Sequence, residues 1–211
     1  MKQGDKAGIV CCSDGLLAQR KRGVDKLVQI LTGIGIIPVI SEHIYAHNTV
    51  FSGTGKERAQ ALMRLYEQED VKVIFDISGG DIANEILPYL DFDMIRNHPK
   101  QFWGYSDLTT ILNAVYTKTG NEGVLYQVRN LIRDESGVQR KNFVETVFNG
   151  KDTLFDFPYR FIQGEHMEGI VVGGNIRCLQ KRLQWRGIGA EVLSLSSDSR
   201  IDFTKLDLVL L

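Results

Sequence analysis

Val71-Lys72-Val73-Ile74-Phe75-Asp76-Ile77-Ser78-Gly79-Gly80-Asp81 is an apolar run that breaks on a glycine pair. The run has the length of a strand, residues 78–81 have the composition of a turn, and Ile82, Ile86, Leu87 and Leu90 then recur at helical spacing, closing near residues 88–91. The same unit repeats on both sides. Upstream, residues 7–12 form an apolar run ending at Ser13-Asp14-Gly15, and Leu16, Leu17, Val24, Leu27, Ile30 and Leu31 carry a helical pattern to a glycine stop at Gly33-Ile34-Gly35. Residues 36–40 give a second run, followed by helical spacing at Ala59, Leu62 and Leu65. Downstream, Phe102-Trp103-Gly104-Tyr105 reads as a strand and residues 108–116 as a helix. Strands that alternate with helices, and that are apolar on both faces, predict an α/β fold with a doubly wound, mostly parallel sheet.

From Gly120 to about Tyr159 the periodicity weakens, which predicts a connecting region. Gly169-Ile170-Val171-Val172-Gly173-Gly174-Asn175 then opens a new apolar run. About forty residues remain after it, too few for an independent core. The expected organisation is therefore an N-terminal α/β domain over residues 1–160 and an incomplete, β-rich C-terminal domain over residues 161–211. Residues 192–195 and 206–211 are apolar with little chain to cover them, which predicts either self-association, most simply a homodimer, or disorder beyond about Gly174.

The chain has 211 residues, 43% of them hydrophobic, and 25 Lys and Arg balance 26 Asp and Glu. A net charge of −1 supplies no attraction to nucleic acid or to an anionic membrane surface, so neither is an expected partner. The N-terminus lacks an apolar signal core, and no apolar run is long enough to cross a bilayer. Cys11 and Cys12 are adjacent in a strand and point to opposite faces, which leaves Cys178 without an obvious mate. That usage suits a reducing compartment and predicts a cytoplasmic protein.

In open parallel sheets, ligands sit beyond the carboxyl ends of the strands. Two turns there carry chemistry. Gly79 and Gly80 let backbone approach a ligand and offer N–H groups to an anion. In Gly104-Tyr105-Ser106-Asp107-Leu108-Thr109 a serine stands between strand and helix, where a nucleophilic hydroxyl would be exposed and the Asp107 N–H would face an oxyanion. Glycine pairs are also ordinary turn residues, and Ser-Asp at a helix start is also an ordinary N-cap. No G-x-G-x-x-G follows the first strand and no His, Cys and carboxylate set has ligand spacing, so no cofactor and no metal are expected.

Taken in order, residues 78–91, residues 102–109 and Gly173-Gly174-Asn175 resemble the motifs of the LD-carboxypeptidase/microcin-immunity serine peptidases. Gly4-Asp5-Lys6-Ala7-Gly8-Ile9 and Arg58-Ala59-Gln60-Ala61-Leu62 fit the same pattern. The resemblance covers about residues 4–178. It implies that Ser106 is a catalytic nucleophile, and that Asp107 and the Gly79-Gly80 turn bind the oxyanion. The implied substrate is a small peptide, such as the L,D-bond of a murein tetrapeptide, or a peptidyl- or aminoacyl-nucleotide amide. Ser78 stands where the murein branch commonly has arginine, which tilts the reading toward the immunity branch.

The family takes a Glu and a His from its C-terminal domain. Here the position for that Glu reads Ser196, and the chain ends at Leu211 before the His, so a truncated and inactive form is expected. His43, His47, His98 and His166 are the remaining candidate bases, each of them also readable as a loop histidine. Residues 179–189, with Lys181, Arg182, Trp185 and Arg186, depart from the family and read as a solvated basic face. The alternative function is a non-catalytic module that keeps the cleft and binds a small ligand.

Overall fold

A computed structural model describes residues 1–47 and 49–156, together with residues 158, 160, 174, 175, 177 and 178. Five strands, β1 (Lys6–Val10), β2 (Ile37–Ile40), β3 (Val71–Asp76), β4 (Gln101–Gly104) and β5 (Val124–Leu125), form one sheet in the order β2-β1-β3-β4-β5, every pair parallel. That is the doubly wound order with its switch point between β1 and β3, so the turns leaving these two strands diverge around a crevice.

The period-two pleat explains how one strand feeds two cores. Ala7, Ile9 and Cys11 join one buried cluster with Val73, Phe75 and Trp103, covered by α1 (Lys21–Gly33) and α5 (Val138–Asn149). Val10 and Cys12 join the other with Ile74 and Phe102, covered by α2 (Gly55–Glu67) and α4 (Thr109–Thr119). The adjacent cysteines thus lie on opposite faces, both buried and neither in a disulfide, and Cys178 is buried as well. The two edge strands depart from burial on both faces, β5 being half-buried and β2 the more open, with Ile37 48% and Ile40 45% exposed. Pro38 fits there because an edge strand has ladder positions that need no N–H.

Three expectations need correction. Residues 83–89 form a 3-10 helix, Ala83–Tyr89, with Pro88 inside it, rather than an α-helix. A short α3 (Phe92–Asn97), capped by the Asp91 carboxylate on the Met94 N–H at 2.8 Å, precedes β4. The stretch after Gly120 is not a mere connector, because it supplies β5 and α5. Phe143 of α5 is fully buried and its ring lies 5.7 Å from Trp103 and 5.9 Å from Phe75. Of the expected second domain, residues 161–173, 176 and 179–211 lie outside the described residues, as do the apolar runs 192–195 and 206–211, Ser196, His166 and the 179–189 basic cluster. No helix among the described residues is long and apolar enough to cross a membrane.

Candidate functional site

Register places the two flagged turns side by side. Phe75 pairs with Trp103, so β3 and β4 deliver residues 78–81 and 105–108 to the same end of neighbouring strands. Ser106 opens a 3-10 turn, Ser106–Leu108, that leads straight into α4. Its φ is +57°, left-handed backbone that non-glycine residues rarely adopt, whereas Tyr105 before it is extended at φ −142°. This sharp reversal is possible because Gly104 lacks a side chain: a Cβ there would stand 2.6 Å from the Cβ of Leu108. Ser106 is half-buried, and its hydroxyl makes no hydrogen bond to any described residue. A strained serine with a free hydroxyl is the arrangement of a presented nucleophile, and an N-cap serine would instead have its oxygen on a helix N–H.

Buried polar groups lock the turns around it. Asp107, fully buried, accepts from the Ser13 hydroxyl at 2.6 Å and from the Ala83 N–H at 2.7 Å, and its other oxygen lies 3.4 Å from the Cys178 Sγ. The serine turn is therefore fastened to the turn after β1 and to the start of the Ala83–Tyr89 helix. Asp76, at the end of β3, accepts from the N–H of Cys12 at 2.8 Å, and from the Ser78 N–H and hydroxyl at 2.7 and 2.5 Å. Burial pushes its carboxyl above the ordinary value, and the bonds from Ser78 and Cys12 pull it part of the way back. Fully buried Arg58 of α2 donates to the carbonyls of Cys12, Ser13 and Ile82 at 2.6, 3.3 and 3.2 Å and pairs with the Glu85 carboxylate.

Gly80 requires glycine. Its φ is +131°, and a Cβ would fall 2.0 Å from the Cγ of Asp14, whose carboxylate accepts from the Asp81 N–H at 3.1 Å. Gly79 faces open space, nothing lying within 4 Å of the place a Cβ would take. Neither glycine N–H has an acceptor among the described residues. The flagged Gly174-Asn175 pair also docks here. Gly174, at φ +132°, leaves no room for a Cβ beside Thr109, and the Asn175 N–H donates to the Thr109 hydroxyl at 3.0 Å. Arg177 pairs with Asp81 at 3.0 Å.

The structure brings Ser106, Asp107, Gly79 and Gly80 to one end of the sheet; among the described residues it brings no histidine to the Ser106 hydroxyl. His43 Nδ1 lies 3.1 Å from the Ser52 carbonyl, and the His47 and His98 backbones close local turns. Sequence reasoning missed Ser13, Arg58 and Asp76 as supports of the site. Asp76 was findable as the one charged residue ending an apolar strand, while nothing in the sequence marked Arg58 as a clamp, since the carbonyls of Cys12, Ser13 and Ile82 that it holds lie 24 to 46 residues away.

Fold and turn define a class, that of doubly wound α/β domains with a serine at a strained strand-to-helix turn. Within it the chain belongs to the LD-carboxypeptidase family: the model of the LD-carboxypeptidase N-terminal domain, Peptidase_S66, matches residues 7–127. The microcin C7 self-immunity protein MccF of Escherichia coli is 48% identical over 159 residues, which span 61% of this chain and 46% of that protein. The solved structure of microcin C7 self-immunity protein MccF in complex with aspartyl sulfamoyl adenosine superposes with a TM-score of 0.65 at 28% identity, over 70% of this chain and 45% of that one. An MccF-like protein from Bacillus anthracis str. Ames shares the fold at a TM-score of 0.73 and 24% identity, with 100% of this chain and 78% of that one covered. The chain thus spans less than half the length of the Escherichia coli relative.

Proposed function

We propose that this chain is the nucleophile-bearing part of a serine carboxypeptidase-like hydrolase, in which Ser106 attacks the amide carbonyl of a small peptide or aminoacyl-nucleotide. The observation that carries the reading is the left-handed Ser106, unbonded at its hydroxyl, on a turn fixed by the buried Asp107. In the attack the serine oxygen adds to the carbonyl carbon, and the developing oxyanion would take hydrogen bonds from the Asp107 N–H and the Gly79-Gly80 turn. Glycine at position 79 suits this, because backbone must approach the substrate without a side chain between, and the place its Cβ would take is open.

Substrate preference follows from Ser78. It is buried, and its hydroxyl donates to Asp76 and accepts from the Ser13 N–H at 3.1 Å, so it has no capacity left to hold the terminal carboxylate of a peptide. An aminoacyl- or peptidyl-nucleotide amide is therefore the favoured substrate over a murein tetrapeptide, in keeping with the ligand of the microcin-immunity relative. No described residue is placed to take the Ser106 proton. The 211-residue chain should accordingly bind such a ligand and turn it over negligibly, which favours, as a second reading for this form, a ligand-binding module. Calorimetry with aspartyl sulfamoyl adenosine and with an L,D-tetrapeptide tests the preference: binding of the first and not the second is expected, and the reverse order refutes the Ser78 argument.

The buried free thiols support a reducing, cytoplasmic setting, and burial and the neighbouring Asp76 raise both Cys11 and Cys12 well above the ordinary thiol value. Homodimerisation rests on the apolar runs near the C-terminus, with Ile37 and Ile40 on edge strand β2 as further apolar surface.

A further inference from the structure

Beside the serine turn, a cavity of about 510 Å3 opens between α1 and the 3-10 turn Val128–Arg133 that follows β5. Tyr105 and Ile77, the residues at the ends of β4 and β3, form part of its wall, so it adjoins the Ser106 turn but does not include Ser106. Three arginines line it, Arg20, Arg129 and Arg133, and no Asp or Glu does. Three cations around one cavity without an acid are unusual in a chain of net charge −1.

The arginines are also uncompensated. None of the three guanidinium groups has a hydrogen-bond or ion-pair partner among the described residues, and the Nε of Arg129 is buried with no acceptor. Burial pulls the Arg129 guanidinium below its ordinary value; Cys11 and Asp76 oppose this, and the like charges of Arg20 and Arg133 add to it. Asp76 does not act as the missing acceptor: its bonds come from Cys12 and Ser78, and none comes from Arg129. A buried donor without a partner is costly, and a guanidinium meets tetrahedral oxyanions through two parallel N–H bonds.

We propose that this cavity is an anion site for a phosphate-class group of a small ligand, held from behind by Arg129 and at the entrance by the exposed Arg20 and Arg133. Several uncompensated charges favour a multivalent anion over a single carboxylate, and a tetrahedral group offers acceptors in more than one plane to forks arriving from α1 and from the 3-10 turn. The apolar wall of Leu16, Val24 and Ile77 gives the ligand body a place to pack, in a volume typical of small-molecule sites. This reading does not depend on the chemistry of Ser106, because its readout is binding alone.

Isothermal calorimetry of the 211-residue chain with inorganic pyrophosphate, at a constant ionic strength of about 0.15 M to screen nonspecific attraction, tests it. One saturable site is expected. Arg129→Gln and Arg133→Gln should each weaken it tenfold or more, and tricarballylate, a carboxylate of similar charge, should bind at least tenfold more weakly than pyrophosphate. Arg20 and Arg133 are exposed, so Arg133→Gln and Arg20→Gln carry the test if Arg129→Gln perturbs folding. Absence of saturable binding up to about 10 mM, affinity indifferent to the arginine variants, or equal affinity for tricarballylate would overturn the proposal.

Discussion

Replacing Ser106 by glycine and by alanine should reverse the usual stability order of these two residues. At φ +57° a residue with a Cβ is strained by about 1–2 kcal/mol. Glycine releases that strain, while its freer unfolded chain costs about 0.4–1 kcal/mol relative to alanine. Taken at the middle of both ranges, this leaves Ser106→Gly more stable than Ser106→Ala by about 0.8 kcal/mol. Because the Ser106 hydroxyl bonds no described residue, Ser106→Ala removes no hydrogen bond and should stay within about 0.5 kcal/mol of the parent. Urea unfolding with an unchanged slope measures the gap, which corresponds to roughly 1–4 °C in melting temperature for a chain of this size. An alanine variant more stable than the glycine variant would show that Ser106 is unstrained, and the presented-nucleophile geometry would go with it. Stability is here given up for function, since the parent keeps a strained serine where glycine would be more stable.

Two further outcomes test how the site is supported. Phe143→Ala should cost about 3–5 kcal/mol, because the ring is fully buried against Phe75 and Trp103; a loss under about 1 kcal/mol in denaturant unfolding would return α5 to the status of a connector. Arg58→Met should cost about 3 kcal/mol and weaken ligand binding, since it strips three buried carbonyls of their donor, whereas Glu85→Gln at the half-exposed end of the pair should cost about 1 kcal/mol or less. Equal losses for the two variants, read by unfolding, would contradict that asymmetry.

The parallel sheet was legible because β1, β3 and β4 are apolar runs ending in glycine-bearing turns, and strands covered on both faces need no alternation. Legibility ended where local signals are short. Two residues of β5 and the single buried Phe143/Val147 pair on α5 give a sequence pattern little to repeat, yet they complete an aromatic cluster with Trp103 and Tyr126. Pro88 turned an expected α-helix into a 3-10 helix by removing an N–H from its ladder. At the site, position showed that Ser106 and the glycines lie on turns at the same end of the sheet, and only the family resemblance gave them roles. The clamp that Ser13, Asp107 and Arg58 make was not legible, because most of its bonds join residues 24 to 94 apart in sequence and depend on burial that only the folded chain creates.

The central claim, that Ser106 is the nucleophile of a family hydrolase, is tested most directly by supplying what the described residues do not show. Residues 1–175 joined to the C-terminal part of a longer relative should hydrolyse an aminoacyl-nucleotide amide, and Ser106→Ala in that chimera should lower turnover by about a million-fold, to the thousand-fold or so over water that an oxyanion hole alone gives. Hydrolysis that survives Ser106→Ala in the chimera would contradict the account, and so would brisk hydrolysis by the Ser106→Ala form of the 211-residue chain.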